Sequence, residues 1–170
     1  MSSIQVTRRI AAAVAVAAVI TGALAWGTPG SGSQSTLIGR ATFQEAFKVK
    51  RKADVAAAGK WEVKVEAKPA LDIAVQVIDF QPGGQSGWHS HPGPVFISVV
   101  AGTMTFYESD DPACQPIVRH AGEGFLDVGD HAHIARNKDP TVPARNVVTY
   151  FAPPGAALRI DQPDPGNCPF

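Results

Sequence analysis

Between residues 61 and 151 the chain is a succession of short apolar runs cut by glycine, proline and aspartate, and none of them shows the period of a helix. Trp61 to Ala67 alternates apolar and polar residues, which predicts a strand with one face buried. Leu71 to Phe80 is rich in Val and Ile and meets a turn signal at Pro82-Gly83-Gly84. Val95–Val100, Thr103–Tyr107, Ile117–His120, Gly124–Val128, His131–Ala135 and Asn146–Phe151 follow at close, regular spacing. This spacing predicts an all-β domain, a sandwich or a barrel. Thr42 to Phe47 has room for one helical turn at most, and Val55 to Gly59 for a short helix or a loop. At 170 residues, 45% of them hydrophobic and 18% charged, the chain is long and apolar enough for one domain with its own core. The formal net charge is zero and no basic stripe is interleaved with aromatics, so nucleic acid is not an expected partner. The basic cluster Lys48 to Lys52 reads as a solvated strand edge.

The first 25 residues read differently. Arg8 and Arg9 precede an uncharged, Ala-rich run that ends near Ala23-Leu24-Ala25, a small-x-small cleavage pattern. A cleaved signal peptide over 1–25 is the expectation, placing the protein outside the cell or in its envelope. The alternative is an uncleaved N-terminal anchor, the only route by which a membrane becomes a partner. The run is short for a hydrocarbon layer of roughly 30 Å. Gly27 to Thr36 is rich in Gly and Ser, so residues 26–36 are expected to be a flexible spacer before a domain at 37–170. In an exported chain the two cysteines, Cys114 and Cys168, both in loop-like contexts, predict a disulfide.

All five histidines fall between 89 and 133. Residues i and i+2 of a strand share a face, so His89 and His91 present two imidazoles together, as do His131 and His133. Facing strands inside a barrel would converge them on one point. His120, after Arg119, reads as a surface residue. Asp127 and Asp130 flank Gly129 and read as turn residues, and Asn137 as a turn cap. Trp88, Phe96, Met104, Phe106 and Tyr150 read as core before pocket. Gly-x-Ser-x-Gly, phosphate-loop and His-Glu-x-x-His patterns are absent from the sequence.

These residues resemble a cupin, the small double-stranded β-helix or jelly-roll barrel. Gly83, five residues, His89-Ser90-His91 and Gly102 match the spacing of its first motif, and Gly122, His133 and Asn137 that of its second. Val128 and Asp130 stand where the second motif has Pro and Gly. The larger departure is Val95, at the position of the first motif's Glu. The resemblance therefore implies a metal site of His89, His91 and His133, with His131 as a fourth ligand or a rim residue. One divalent ion is expected, with Fe, Mn, Zn and Ni undistinguished. Three neutral ligands leave the centre at +2 where a carboxylate would leave +1, which favours a small anionic or oxygen-bearing ligand. The expected function is that of an exported metal-binding cupin acting on or binding a small molecule, with dioxygenase-like chemistry. The alternative is a non-catalytic ligand-binding or structural cupin module in the cell envelope. A homodimer is left open.

Overall fold

The β-branched runs become strands, and the order in which they pair sets where the histidines meet. The computed structural model describes residues 27–57, 59–68 and 70–170; the expected export segment at 1–25 lies outside the described residues. Among these, twelve strands occur and no helix: β1 (Ser31–Phe43), β2 (Phe47–Val55), β3 (Gly59–Ala67), β4 (Leu71–Gln85), β5 (His89–Ser90), β6 (Val95–Ala101), β7 (Thr103–Glu108), β8 (Ile117–His120), β9 (Gly124–Asp127), β10 (His133–Arg136), β11 (Ala144–Ala152) and β12 (Ile160–Asp161). Ten of them form one antiparallel sheet, in the order β12-β5-β10-β4-β11-β6-β9, with β1 on β4, β7 on β10 and β8 on β7. The sheet curls into the expected jelly-roll barrel.

Period-two patterning explains which way each strand faces. In β6, Val95, Ile97 and Val99 are buried while Phe96, Ser98 and Val100 are exposed; in β11, Ala144, Asn146, Val148, Tyr150 and Ala152 turn inward. The interior is filled by Phe80, Met104, Phe106, Phe125 and these valines, with Phe106 stacked on Phe125 at 4.3 Å between ring centres. Each such side chain contributes about 1.5–3 kcal/mol by leaving water. Of the five apolar residues read as core, Trp88, Met104, Phe106 and Tyr150 are buried, whereas Phe96 is half exposed on the outer face against Phe151. Asn137 is buried and ties its turn together, its side-chain amide donating to the carbonyls of Gln81 and Val142 while its oxygen accepts from the Asp139 amide.

A second, smaller core joins Trp88, Tyr107 and Ile134 to Cys168. Cys168 is bonded to Cys114, as expected, with the Cα atoms 5.3 Å apart. The tail is held further by Asn167, which donates to the carbonyls of Glu108 and Asp111, and by Phe170, which packs on Tyr107 beneath the Arg136 guanidinium.

Several segments take a local structure other than the one expected. Of the spacer expected at 26–36, residues 31–36 belong to β1, in register with β4 through Ser33↔Phe80 and Thr36↔Val77. Ahead of it, the Thr28 amide donates to the Gln162 carbonyl (3.0 Å) and the Trp88 amide donates to Thr28 Oγ1 (2.6 Å). The glycines there permit close backbone approach, since a Cβ at Gly30 would lie 2.8 Å from the Ser86 carbonyl oxygen. Second, β3 alternates as predicted but buries neither face. Among the described residues it pairs only with β2, from Phe47↔Ala67 to Val55↔Gly59, and its alternation serves cross-strand pairing, including Lys48–Glu66 and Glu62 with Lys50 and Lys52, while Lys64 on the same strand also reaches Glu62. The basic cluster lies on this exposed hairpin. Third, Thr42–Phe47 forms no helical turn, and the Pro82-Gly83-Gly84 signal lies within β4, which continues to Gln85 with Gly83 at φ +72°.

Gly87 offers a direct check on the docked N-terminal segment. Its φ is +72° and a Cβ would lie 2.1 Å from the Thr28 carbonyl oxygen. Gly87→Ala is expected to lower stability by at least about 1–2 kcal/mol from the left-handed backbone alone. The clash with the Thr28 carbonyl should add to that figure in urea unfolding, and a loss no larger than it would mean that residues 27–30 are not docked in solution.

Candidate metal centre

His89 opens β5 and His133 opens β10, and the two are direct antiparallel partners. Cross-strand partners share a face, so both imidazoles enter the barrel. His91 follows one residue past β5, immediately before Pro92, and also turns inward; all three rings are buried. Their Nε2 atoms converge: His133 to His89 is 3.1 Å and His133 to His91 is 3.3 Å. At a metal with bonds of about 2.0–2.1 Å, two tetrahedral nitrogen ligands would lie about 3.3 Å apart.

The far nitrogens explain why the near ones meet. His89 Nδ1 donates to the Gly87 carbonyl at 2.8 Å, and His91 Nδ1 donates to the Leu158 carbonyl at 2.6 Å. A carbonyl only accepts, so both rings carry their proton on Nδ1 and present an Nε2 lone pair. His133 Nδ1 faces Asp127 Oδ2 at 3.2 Å, and neither atom has a hydrogen-bond partner among the described residues. Burial, then Arg159 and His91, push the His89 pKa down to about 3. Burial likewise lowers that of His91, against the pull of the Asp127 charge, and holds His133 well below the ordinary value with help from the neighbouring imidazoles. His89 and His91 thus aim two lone pairs at the point where the His133 Nε2 also arrives, a place where a cation could accept all three nitrogens. The donor set fits a divalent metal.

His131 lies elsewhere. Its Nδ1 is 2.5 Å from Asp130 Oδ1, and its Nε2 is 3.5 and 3.6 Å from carboxylate oxygens of Glu108 and Asp110. Burial works against its charged form, but these three carboxylates outweigh it and raise its pKa. It belongs with the acids and is not brought into the group of His89, His91 and His133. His120 is exposed on β8, as expected.

Asp127 is the residue that reading the sequence missed. It does hold a turn, accepting from the Gly129 amide through Oδ1 at 2.7 Å. Its other oxygen, however, points at His133 and lies 3.6 Å from His91 Nε2. Burial raises its pKa, partly offset by the Gly129 amide and the His91 charge. Turn spacing alone could not reveal that β9 pairs with β6 in a register that points Asp127 into the barrel.

On its open side the centre meets a cavity of about 410 Å³, to which His89 and His91 contribute together with Ser33, Gln76, Tyr150 and Arg159. The Tyr150 hydroxyl donates to Gln76 Oε1 at 2.9 Å, and burial raises its pKa. The Arg159 guanidinium is held by Asp161 at 2.6 Å.

Comparison with protein families agrees with this architecture. Residues 76–150 match the family described as cupin domain. No curated protein matches the chain. Similar solved structures include an uncharacterised double-stranded β-helix protein of Klebsiella pneumoniae, with 18% identity over 69% of this chain and 85% of that one and a TM-score of 0.44. A cupin-like protein of Thermotoga maritima has 19% identity over 54% and 65%, with a TM-score of 0.46. A polyketide cyclase of Streptomyces resistomycificus has 17% identity over 70% and 74%, with a TM-score of 0.44.

Proposed function

Because residues 76–150 match the cupin domain family, we propose that this chain is an exported metalloprotein that binds a small oxygen-bearing anion at a divalent metal held by His89, His91 and His133. The carrying observation is the convergence of three Nε2 atoms, two of them anchored through Nδ1 to backbone carbonyls, beside a cavity of about 410 Å³. A closed structural site needs four protein ligands, and His131 is committed to carboxylates outside the group. A metal held there supplies Lewis acidity and open coordination positions.

The chain's own residues select the ligand. Arg159 lines the cavity with its cation and Tyr150, Gln76 and Ser33 line it with hydrogen-bonding groups. The case for an anion rests on Arg159, whose cation is shared with Asp161 on the same wall. The missing Glu no longer carries it alone, because Asp127 lies among the imidazoles. Room beside the metal favours a ligand-binding or catalytic role over a purely structural metal. The disulfide supports export, since such bonds persist in oxidising compartments.

Cobalt substitution tests this reading. The chain without residues 1–25 is expected to take up about one Co²⁺, and millimolar oxalate to shift its visible bands. In Arg159→Ala that shift should need several-fold more oxalate. A chain that takes up no Co²⁺, or whose bands ignore oxalate, would overturn the proposal.

A further inference from the structure

Two of the three imidazoles are oriented by carbonyls: Gly87 holds His89 and Leu158 holds His91. His133 has no such carbonyl. The polar atom facing its Nδ1 is Asp127 Oδ2, 3.2 Å away, and both atoms are buried with no hydrogen-bond partner among the described residues. Asp127 is 1% exposed, so its carboxylate exchanges little with water and must find its partner inside the barrel. Its place is set by the sheet. β9 pairs with β6 in a register that sets Asp127 directly opposite Val95, which is fully buried on the same face. Val95 is the position at which the sequence lacks an acid.

We infer that Asp127 is a positioning residue of the metal centre: from the strand beside Val95 it fixes the His133 proton on Nδ1 and aims the His133 Nε2 lone pair at the metal. The inference rests on the three-His metal reading and adds to it a residue outside the ligand group. A carboxylate behind a ligating imidazole sets the ring's tautomer and raises its basicity.

The test is Asp127→Asn in the chain without residues 1–25. The Asn oxygen keeps the bond from the Gly129 amide, so its NH₂ faces His133 and donates where the carboxylate accepted. That drives the His133 proton to Nε2, the nitrogen the metal needs. Zinc affinity, measured by chelator competition, is expected to fall about 10–100-fold. In the metal-free protein, nitrogen NMR of His133 is expected to change from the Nδ1–H to the Nε2–H tautomer. Affinity within threefold of the parent together with an unchanged tautomer overturns the inference. Should the Asn variant fail to fold by circular dichroism, Asp127→Ala carries the affinity readout, with the same threshold deciding. If the parent itself binds no zinc, the metal reading fails, while the tautomer in metal-free protein still judges Asp127.

Discussion

His91→Ala is expected to leave purified protein with less than a tenth of the metal of the parent, while His131→Ala leaves it unchanged. His91 supplies one of the three converging nitrogens, and the two imidazoles that remain lie on paired strands with no third nitrogen of the group to complete the set. Losing a ligand costs more than the 10–100-fold typical of an outer partner. His131 belongs to a separate group with Glu108 and Asp110, so its removal is the matched control. Elemental analysis of the three proteins decides the matter. Metal retained by His91→Ala, or lost from His131→Ala, would place the centre elsewhere.

Removing the disulfide has the second large effect. Cys114 and Cys168 are 54 residues apart, and closing a loop of that length stabilises the fold by about 4 kcal/mol in the loop-closure treatment. The double variant Cys114→Ser/Cys168→Ser is expected to lose about that much in denaturant unfolding, as is the parent under reductant. The damage should reach the metal centre. Cys168 packs with Trp88, Tyr107 and Ile134, and Trp88 immediately precedes His89. A several-fold weaker metal affinity is therefore expected alongside the stability loss. A change below about 1 kcal/mol would show that the tail's hydrogen bonds from Asn167 and the packing of Phe170 suffice without the bond.

Much of this was legible in the sequence, for identifiable reasons. A His-x-His pair in an extended segment must show both rings to one face, and the motif spacing to His133 marked the third imidazole of the group. The alternation in β6 and β11 gave their inward residues directly. What stayed hidden depended on pairing between distant strands. Asp127 caps its turn through one oxygen and faces His133 with the other, so the turn reading was right and incomplete. Gly and Ser at 27–36 looked like a linker because flexibility and close backbone packing call for the same small residues; only the approach to Ser86 and Gly87 separates them. The alternation of β3 carried no information about burial, because a hairpin paired only with itself shows the same period.

The wall of the cavity has a divided origin. Pro29, Gly30, Ser33 and Ser35 come from the start of the described chain, and Leu158, Arg159 and Asp161 from near its end. The barrel between them contributes His89 and His91, together with Gln76, Ile78, Ser86 and Tyr150. Grip and choice are thus encoded in different stretches of polypeptide. Exchanging residues 29–35 and 158–161 as two short cassettes would redesign what the cavity admits while leaving the imidazole side chains in place, provided that a backbone carbonyl survives at 158 to hold His91.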